Sequence, residues 1–536
     1  MEYECLRFSE IPQTTELFAS YTEAFAKVKS FYGHAPDVAG VRAAAKEVRL
    51  DASTRSAVAD VLRAQNREMG SDAEAAKNID RLGNGAVAIV TGQQVSLFSG
   101  PAYSIYKALD AIHWAKKLTR SGIDAVPIFW MATEDHDLAE ANQAFFGERY
   151  GIARLELLLQ EGAEGGSVGR ILLGNSADAV VEHAVEFLQG AGRREIAEAL
   201  KASYRQGETF GSAFGKLLAR VLKGRGLILL DPLDKRLHEL ARPVYRKAVE
   251  DAGPIAEELL ARGKDLERKG FHAQVKVTQQ STLVFLDVDG KREPVRRKNG
   301  GFVAGGLRQS ASELLRRIDE ESEALTASVL LRPVLQDSIL PTAAYIGGPA
   351  EVAYMAQAEV VYRRVLGRMP AILPRASFTL IEPEVSRALK KYHLNVRDVL
   401  SGRQQLRRKM EAQYLPRGLA ARFARDEKML RKILAGYGKP LDALDRTLGG
   451  ARETAERKMF YQFEKLRGKV SRAENRRTGV LDRHELEIVS TLYPRHGLQE
   501  RTLCLLPFLA RQGMDLLDRL ESATDEPCQG HRLITL

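Results

Sequence analysis

Between Ala86 and Ala144 the chain reads AVAIV, TGQQVSLFSGP, AYSIYKALDAIHWAKKL, AVPIFWMA and then TEDHD. A short apolar run, a turn and a segment with helical apolar spacing make a βα unit. Two such units in succession describe an open α/β sheet, and in such sheets the ligand sits beyond the carboxyl ends of the strands. Gln93, Gln94, Glu134, Asp135, His136 and Asp137 fall at those ends. No other stretch of the chain points as strongly to an enzyme.

A third unit predicts a strand over about 342–346, a Gly347-Gly348 turn and a helix opening at Pro349; Gly100-Pro101 opens a helix in the same way. Proline suits the first helical position, and the free N–H groups of the next turn form a ready anion site. Either Gly-Pro pair alone reads as a good turn. The two together, beside TEDHD, point to a cleft for phosphate or carboxylate groups.

The 536 residues, 44% apolar, suffice for a large core and two or three domains. Residues 1–85 read as helical. A core over 86–382 adds a strand in GLILLDP ending at Asp231 and one in AILPRAS ending at Arg375. Insertions are expected at about 147–225, with a Gly-rich loop at 161–169, and at 271–306. The latter alternates as antiparallel strands with Asp-Gly and Asn-Gly turns. Over 383–484 the texture changes: Leu441, Leu444, Leu448, Ala451, Ala455, Met459, Phe463, Leu466 and Val470 form the heptad seam of a coiled coil. With an earlier arm broken at Leu415-Pro416, this predicts an antiparallel helical hairpin. Residues 485–536 are expected to dock back on the core.

The net charge of +10 is unevenly distributed. Residues 384–484 carry an excess of 14 positive charges, leaving the remainder at −4. Cys5, Cys504 and Cys528 lie far apart without a CxxC pair, which argues against a zinc site or a disulfide scaffold and fits a reducing cytosol. No signal peptide is visible and no segment approaches the ~20 apolar residues of a membrane span, so a cytoplasmic protein is expected.

TEDHD places three carboxylates and an imidazole directly after a strand, suited to substrate contact, to general-base work or, with less support, to a metal. The plain alternative is a helix cap, for which Thr133 and the acids are suited. In TGQQ, Thr91 ends the strand, and paired amides at a strand end either bind a polar ligand or lie on the surface of a turn. Tyr103 and Lys107 share a helix face toward the cleft, with Lys107 a candidate phosphate ligand or a solvent-facing lysine. Familiar motifs fail on context. GGSVG lacks the strand of a hydrolase elbow, Gly83-Asn84-Gly85 precedes its strand, and no phosphate-loop motif is present.

Four motifs in order, TGQQxxLFSGPxYxIYKA, PxFWMATEDHDxxE, LRPVLQDxxLPTxAYIGGPAEVAY and YPRHGLQER, resemble the bacillithiol biosynthesis cysteine-adding enzyme family over nearly the whole chain. The resemblance implies a Rossmann-like nucleotidyltransferase core with connecting insertions, plus an α-helical coiled-coil domain that forms a homodimer. It implies a ligase joining L-cysteine to the amine of glucosaminyl-malate, with ATP as co-substrate, Mg²⁺ in support, and no tightly bound cofactor or zinc. On that reading Glu134, Asp135, His136 or Asp137 deprotonates the amine or holds the cysteine ammonium. Thr91, Gln93, Gln94, Gly100, Tyr103, Lys107, Gly347, Gly348, Glu351 and Tyr354 line the substrate site, with Gln499 and with Arg375 and Arg501 as carboxylate forks. The paired-histidine and KMSKS-type ATP motifs of synthetase-like cores are not visible; the corresponding helix reads GPAYSIYKALDAIH. Two rival readings are tRNA or other nucleic-acid binding by the basic hairpin, and a sugar-acid binding module that needs a partner for catalysis. Dimerisation ranks ahead of RNA binding, because few aromatics interleave the basic residues and a coiled coil needs charged outer faces.

Overall fold

The computed structural model describes residues 3–159, 166–445, 447–525 and 528–536. Five apolar strands form a wholly parallel sheet in the order Ala371–Pro374, Thr342–Gly347, Val87–Gln94, Ala125–Ala132, Ile228–Leu230. Ile89, Val90, Ile128, Phe129 and Ile346 are fully buried, as expected for a sheet covered on both faces. The chain begins the sheet at Val87–Gln94, winds outward through Ala125–Ala132 to Ile228–Leu230, then returns to the other side at Thr342–Gly347. Winding therefore reverses between Val87–Gln94 and Thr342–Gly347, and the crevice above that reversal is where ligands bind in doubly wound sheets. Helices Tyr103–Arg120 and Pro349–Val365 follow those two strands. Gly92 has a specific reason to be glycine, since a Cβ there would stand 3.0 Å from the Trp130 carbonyl.

The antiparallel segment forms its own five-stranded sheet, extending from Ser281 to Ala327 instead of joining the parallel one. The expected Asp289-Gly290 and Asn299-Gly300 turns are present, and Gly305-Gly306 makes a third; all six residues have positive φ, as type I′ turns require. Within 147–225 the chain makes a hairpin, Gln143–Glu148 with Gly151–Glu156, and three helices. Residues 160–165, including most of the Gly-rich loop and Gly165 of the GGSVG match, lie outside the described residues.

The arm departs from the sequence expectation in its details. Pro416 does end one helix and cap the next, Arg417–Gly436, but the return helix is Leu448–Thr478. Leu441 and Leu444 belong to a separate short helix, Gly438–Leu444, so the seam does not run unbroken from 441. The return helix runs antiparallel to the outgoing arm: Phe463 packs on Phe423 with centroids 5.1 Å apart, and further along Arg472 reaches Glu411 on the preceding helix, Arg403–Gln413. Leu444, Met459 and Leu466 are exposed on the single chain.

The termini correct a second expectation. Tyr3–Leu6 is a strand, not part of a helix, and it pairs antiparallel with His531–Thr535, which in turn pairs parallel with Phe378–Ile381. Cys5 and Cys528 form a disulfide across this junction, contrary to the reading that the cysteines stay apart and reduced. Sequence separation concealed the pair, because the β-ladder that joins them links the two ends of the chain. No helix among the described residues is long and apolar enough to cross a membrane.

Candidate active site

A cleft of about 270 Å³ opens above the sheet's reversal point. Its floor is an ion pair between Lys107 and Glu351, with Lys107 only 2% exposed. Lys107 Nζ also donates to the Gly92 carbonyl at 2.7 Å and to Gln93 Oε1 at 2.9 Å. All three ammonium protons are thus engaged, which corrects its expected role as a phosphate ligand: Lys107 braces the strand end. Burial pulls the Lys107 ammonium below its ordinary value, against the opposing charge of Glu351. Burial alone would raise the Glu351 carboxyl. Lys107, the Tyr345 hydroxyl at 2.6 Å and the Gly348 N–H at 2.7 Å outweigh it and hold the group ionised. The Gly348 amide, expected to meet an anion from the substrate, is therefore satisfied by the chain's own carboxylate.

Arg332 enters one wall from the start of helix Arg332–Ile339. It donates to Tyr354 Oη at 3.1 Å and Tyr345 Oη at 3.3 Å, and its guanidinium lies 5.8 Å from the Tyr345 ring centroid. Arg375 donates to Glu500 Oε1 at 2.7 Å and stacks 5.3 Å from the Tyr103 ring. Glu500, 1% exposed, also accepts from Ser377 Oγ and the Phe378 N–H. The expected fork of Arg375 is therefore closed on a buried internal carboxylate. Gln93 donates to Tyr103 Oη at 3.3 Å, and burial pushes the Tyr103 hydroxyl up to about 12. Arg501, exposed at the rim, has no hydrogen-bond or ion-pair partner for its guanidinium among the described residues.

TEDHD divides. Asp135 lines the cleft, with its Oδ1 accepting the His136 N–H at 2.7 Å. Glu134 points the other way and lies 3.2 Å from His238 Nε2. Burial would lower the His238 pKa, but Glu134 outweighs it and raises the group. His136 stands half exposed outside the cleft, its Nδ1 3.4 Å from Arg292. Asp137 accepts the Glu140 N–H at 3.0 Å as the cap of a one-turn helix, Leu138–Ala141, while Gln94 ties down its carbonyl. So the capping alternative holds for Asp137, and the cleft receives Asp135 alone from the three acids and the imidazole proposed. It also receives Glu140, whose carboxyl is raised by partial enclosure and by Asp137 and Asp135 nearby.

Four other expected residues stand off the cleft surface. The Thr91 hydroxyl donates to the Ile346 carbonyl at 3.0 Å, joining two buried strands. Gly100 sits at φ 66° in a loop bonded to Leu97, and the following Ala102 N–H is taken by the Leu503 carbonyl. The Gly347 carbonyl receives the Arg375 N–H. Gln499 is buried, exchanging hydrogen bonds with both backbone groups of Leu380 and donating to the Thr491 carbonyl. Gln93, Gln94, Tyr103, Gly348, Glu351, Tyr354, Arg375, Arg501, Lys107 and Asp135 do converge. Arg332, Tyr345 and Glu140 escaped the sequence reading, although the motifs LRPVLQD, PTAAYIGG and TEDHDxxE carry them. Beyond Arg375 and Arg501 a second chamber of about 240 Å³ continues the cleft, walled by Phe8, Ile11, Phe18, Tyr493 and Leu498.

A doubly wound sheet with a polar cleft at its reversal point and a helical arm defines a Rossmann-like protein with a coiled-coil appendage. Residues 1–376 match the family described as bacillithiol biosynthesis BshC, N-terminal Rossmann-like domain, and residues 378–536 match its C-terminal coiled-coil domain. The chain belongs to this family. It is 42% identical over 531 residues, 99% of each chain, to a protein of Koribacter versatilis named "Putative cysteine ligase BshC". Proteins of the same name from Solibacter usitatus and Salinibacter ruber are 36% and 33% identical, covering all of both chains in the first case and 97% of this chain and 96% of that one in the second.

Proposed function

We propose that this chain is the ligase that forms an amide between the L-cysteine carboxyl and the amine of glucosaminyl-malate, with ATP activating the carboxyl. The observation that carries this reading is the charge layout of the cleft in a chain related end to end to named cysteine ligases. Arg332 and Arg501 suit the carboxylates of a malate unit, and Asp135 and Glu140 suit an ammonium. An amide from a free carboxylate is uphill in water, so an anhydride donor has to be supplied. The attacking amine must first lose a proton, and Glu140, which lines the cleft with its carboxyl raised by partial burial and by Asp137 and Asp135, is the group suited to accept it. Arg501 at the rim then holds the sugar acid while Gln93 and Tyr103 orient the polar face of the substrate. Mg²⁺ would arrive on the nucleotide phosphates, since no group of three or more His, Cys, Asp or Glu side chains gathers as a metal site among the described residues. The exposed apolar residues of the arm support pairing with a second copy, and a small-molecule substrate set supports a cytoplasmic setting.

The test is direct. Purified protein is incubated with cysteine, glucosaminyl-malate, ATP and Mg²⁺, with each omitted in turn, and the product is read by mass spectrometry. Bacillithiol that vanishes with any omission supports the reading. Amide formation that persists without ATP, or binding of glucosaminyl-malate with no product, overturns the activation route or the ligase assignment respectively.

A further inference from the structure

Outside the cleft, Cys5 and Cys528 form a disulfide that closes a span of 523 residues. Cys5 is exposed on the edge strand of the terminal sheet, and Cys528 is half-buried just before the central strand. Among the described residues, four pairs, Tyr3↔Ile534 to Leu6↔His531, make up the ladder that the bridge reinforces. Directly after this strand, Phe8, Ile11, Gln13 and Phe18 form one wall of the second chamber. Solvent-exposed disulfides are the labile ones, because a small thiolate can reach the sulfur.

We propose that Cys5–Cys528 is a reversible thiol–disulfide site for low-molecular-weight thiols and disulfides, and that its oxidation state sets how firmly the N-terminal wall of the second chamber is held. In reduction, a small thiolate attacks the Sγ of Cys5, the more exposed residue of the pair. The protein S–S bond breaks and Cys528 leaves as a thiolate. The Gly530 N–H already donates to Cys528 Sγ at 3.4 Å, and the Arg532 guanidinium, bonded to the Cys528 carbonyl at 3.0 Å, brings positive charge beside it. A second small thiolate attacks the outer sulfur of the mixed disulfide on Cys5, releasing the Cys5 thiolate and a small-molecule disulfide. Two small thiols are thereby oxidised to one disulfide while one protein disulfide becomes two thiols. Oxidation runs the same steps backward with the small disulfide as oxidant. Cys504 stands apart: fully buried, it donates to the Phe98 carbonyl and burial pushes its thiol up to about 12.

The full chain is equilibrated in graded mixtures of reduced and oxidised glutathione, trapped with iodoacetamide and mapped by mass spectrometry. Samples of each mixture are also digested briefly with trypsin. At the oxidised end a cross-linked peptide containing Cys5 and Cys528 is expected, both sulfurs unalkylated. At the reduced end both are alkylated in the native protein, while Cys504 reacts only after denaturation. Cleavage after Lys27 or Lys29 is expected to run about fivefold faster once the bridge is reduced. The C5S variant should cleave at that faster rate in every mixture. Full alkylation of both cysteines at the oxidised end, a bridge that survives the reduced end, or a cleavage rate indifferent to oxidation each overturns the proposal.

Discussion

Lys107 directs its three protons to Gly92, Gln93 and Glu351, and Arg375 turns its guanidinium to the Ala376 carbonyl and Glu500. Arg501 has no such obligation, so a substrate carboxylate would meet it without breaking an internal contact. R501A should lower kcat/KM for glucosaminyl-malate by about 10–100-fold, mostly through KM, with thermal stability unchanged, the size of one lost charge-assisted contact. Steady-state kinetics beside a melting curve check this, and R501K should restore little, because an ammonium does not reproduce the fork. Glu134 makes a different prediction. Its contact raises His238 above an ordinary histidine, so the stabilisation is present below the unfolded pKa and is lost as pH rises through the folded value. E134Q should therefore melt lower than the native chain at pH 6, by about 1–2 kcal/mol of stability, and nearly match it at pH 8.5. A gap that is equal at both pH values would refute the pair. The sequence placed TEDHD at the sheet's edge but not the direction of each side chain. The strand ends at Ala132 and the backbone turns there, the Asp135 N–H bonding back to the Ala132 carbonyl, so Asp135 lines the cleft while Glu134 meets His238. A string of letters reads as one cluster where the backbone makes two.

The elements were easiest to read where local chemistry fixes them. The strands and turns at 87–100 and 342–348, the Pro349 helix start, the Asp-Gly and Asn-Gly turns and the Pro416 break each follow from residues adjacent in sequence, whereas the helix expected at Gly100-Pro101 starts at Tyr103. The helical arm shows where that reading ends. Heptad spacing identifies an apolar face but not what covers it, and Leu448–Thr478 packs on its neighbour chiefly near Phe423–Phe463 and at Arg431 over Phe460. Met459 and Leu466 remain exposed on a face whose other side is strongly basic. Covering those residues with a second copy would bury the seam and leave the charges in water, the arrangement a coiled coil requires. On that argument M459E with L466E should weaken self-association by about 100-fold or more, since each change buries a charge in the seam. Sedimentation velocity across a concentration series reads the result. A native chain that sediments as a monomer throughout would end the dimer proposal.

At the scale of the molecule, the cleft depends on contacts from both ends of the chain. His531–Thr535 is the central strand of the three-stranded sheet, with Tyr3–Leu6 on one side and Phe378–Ile381 on the other. His531 is fully buried between the Ser377 and Thr379 hydroxyls, at 2.7 and 2.8 Å, and burial holds it down at about 4, neutral at physiological pH. Ser377 also donates to Glu500, and Glu500 orients Arg375 at the cleft wall. The last residues thus reach the cleft through three hydrogen-bonded steps, a connection invisible in sequence because each bonded pair stands more than a hundred residues apart. Deleting 531–536 removes a strand with two partners, whereas deleting 1–6 removes an edge strand with one. The C-terminal deletion should cost several kilocalories per mole, about 3–5, from lost ladder bonds, uncovered Leu533 and Ile534, and the buried Thr379 hydroxyl left without its His531 partner. The N-terminal deletion should cost less than half of that. Paired melting curves test the order. If removing the edge strand proves as damaging as removing the central one, the termini stabilise the molecule through the Cys5–Cys528 bridge rather than through the sheet, and the reduced native chain should then melt with the deletion.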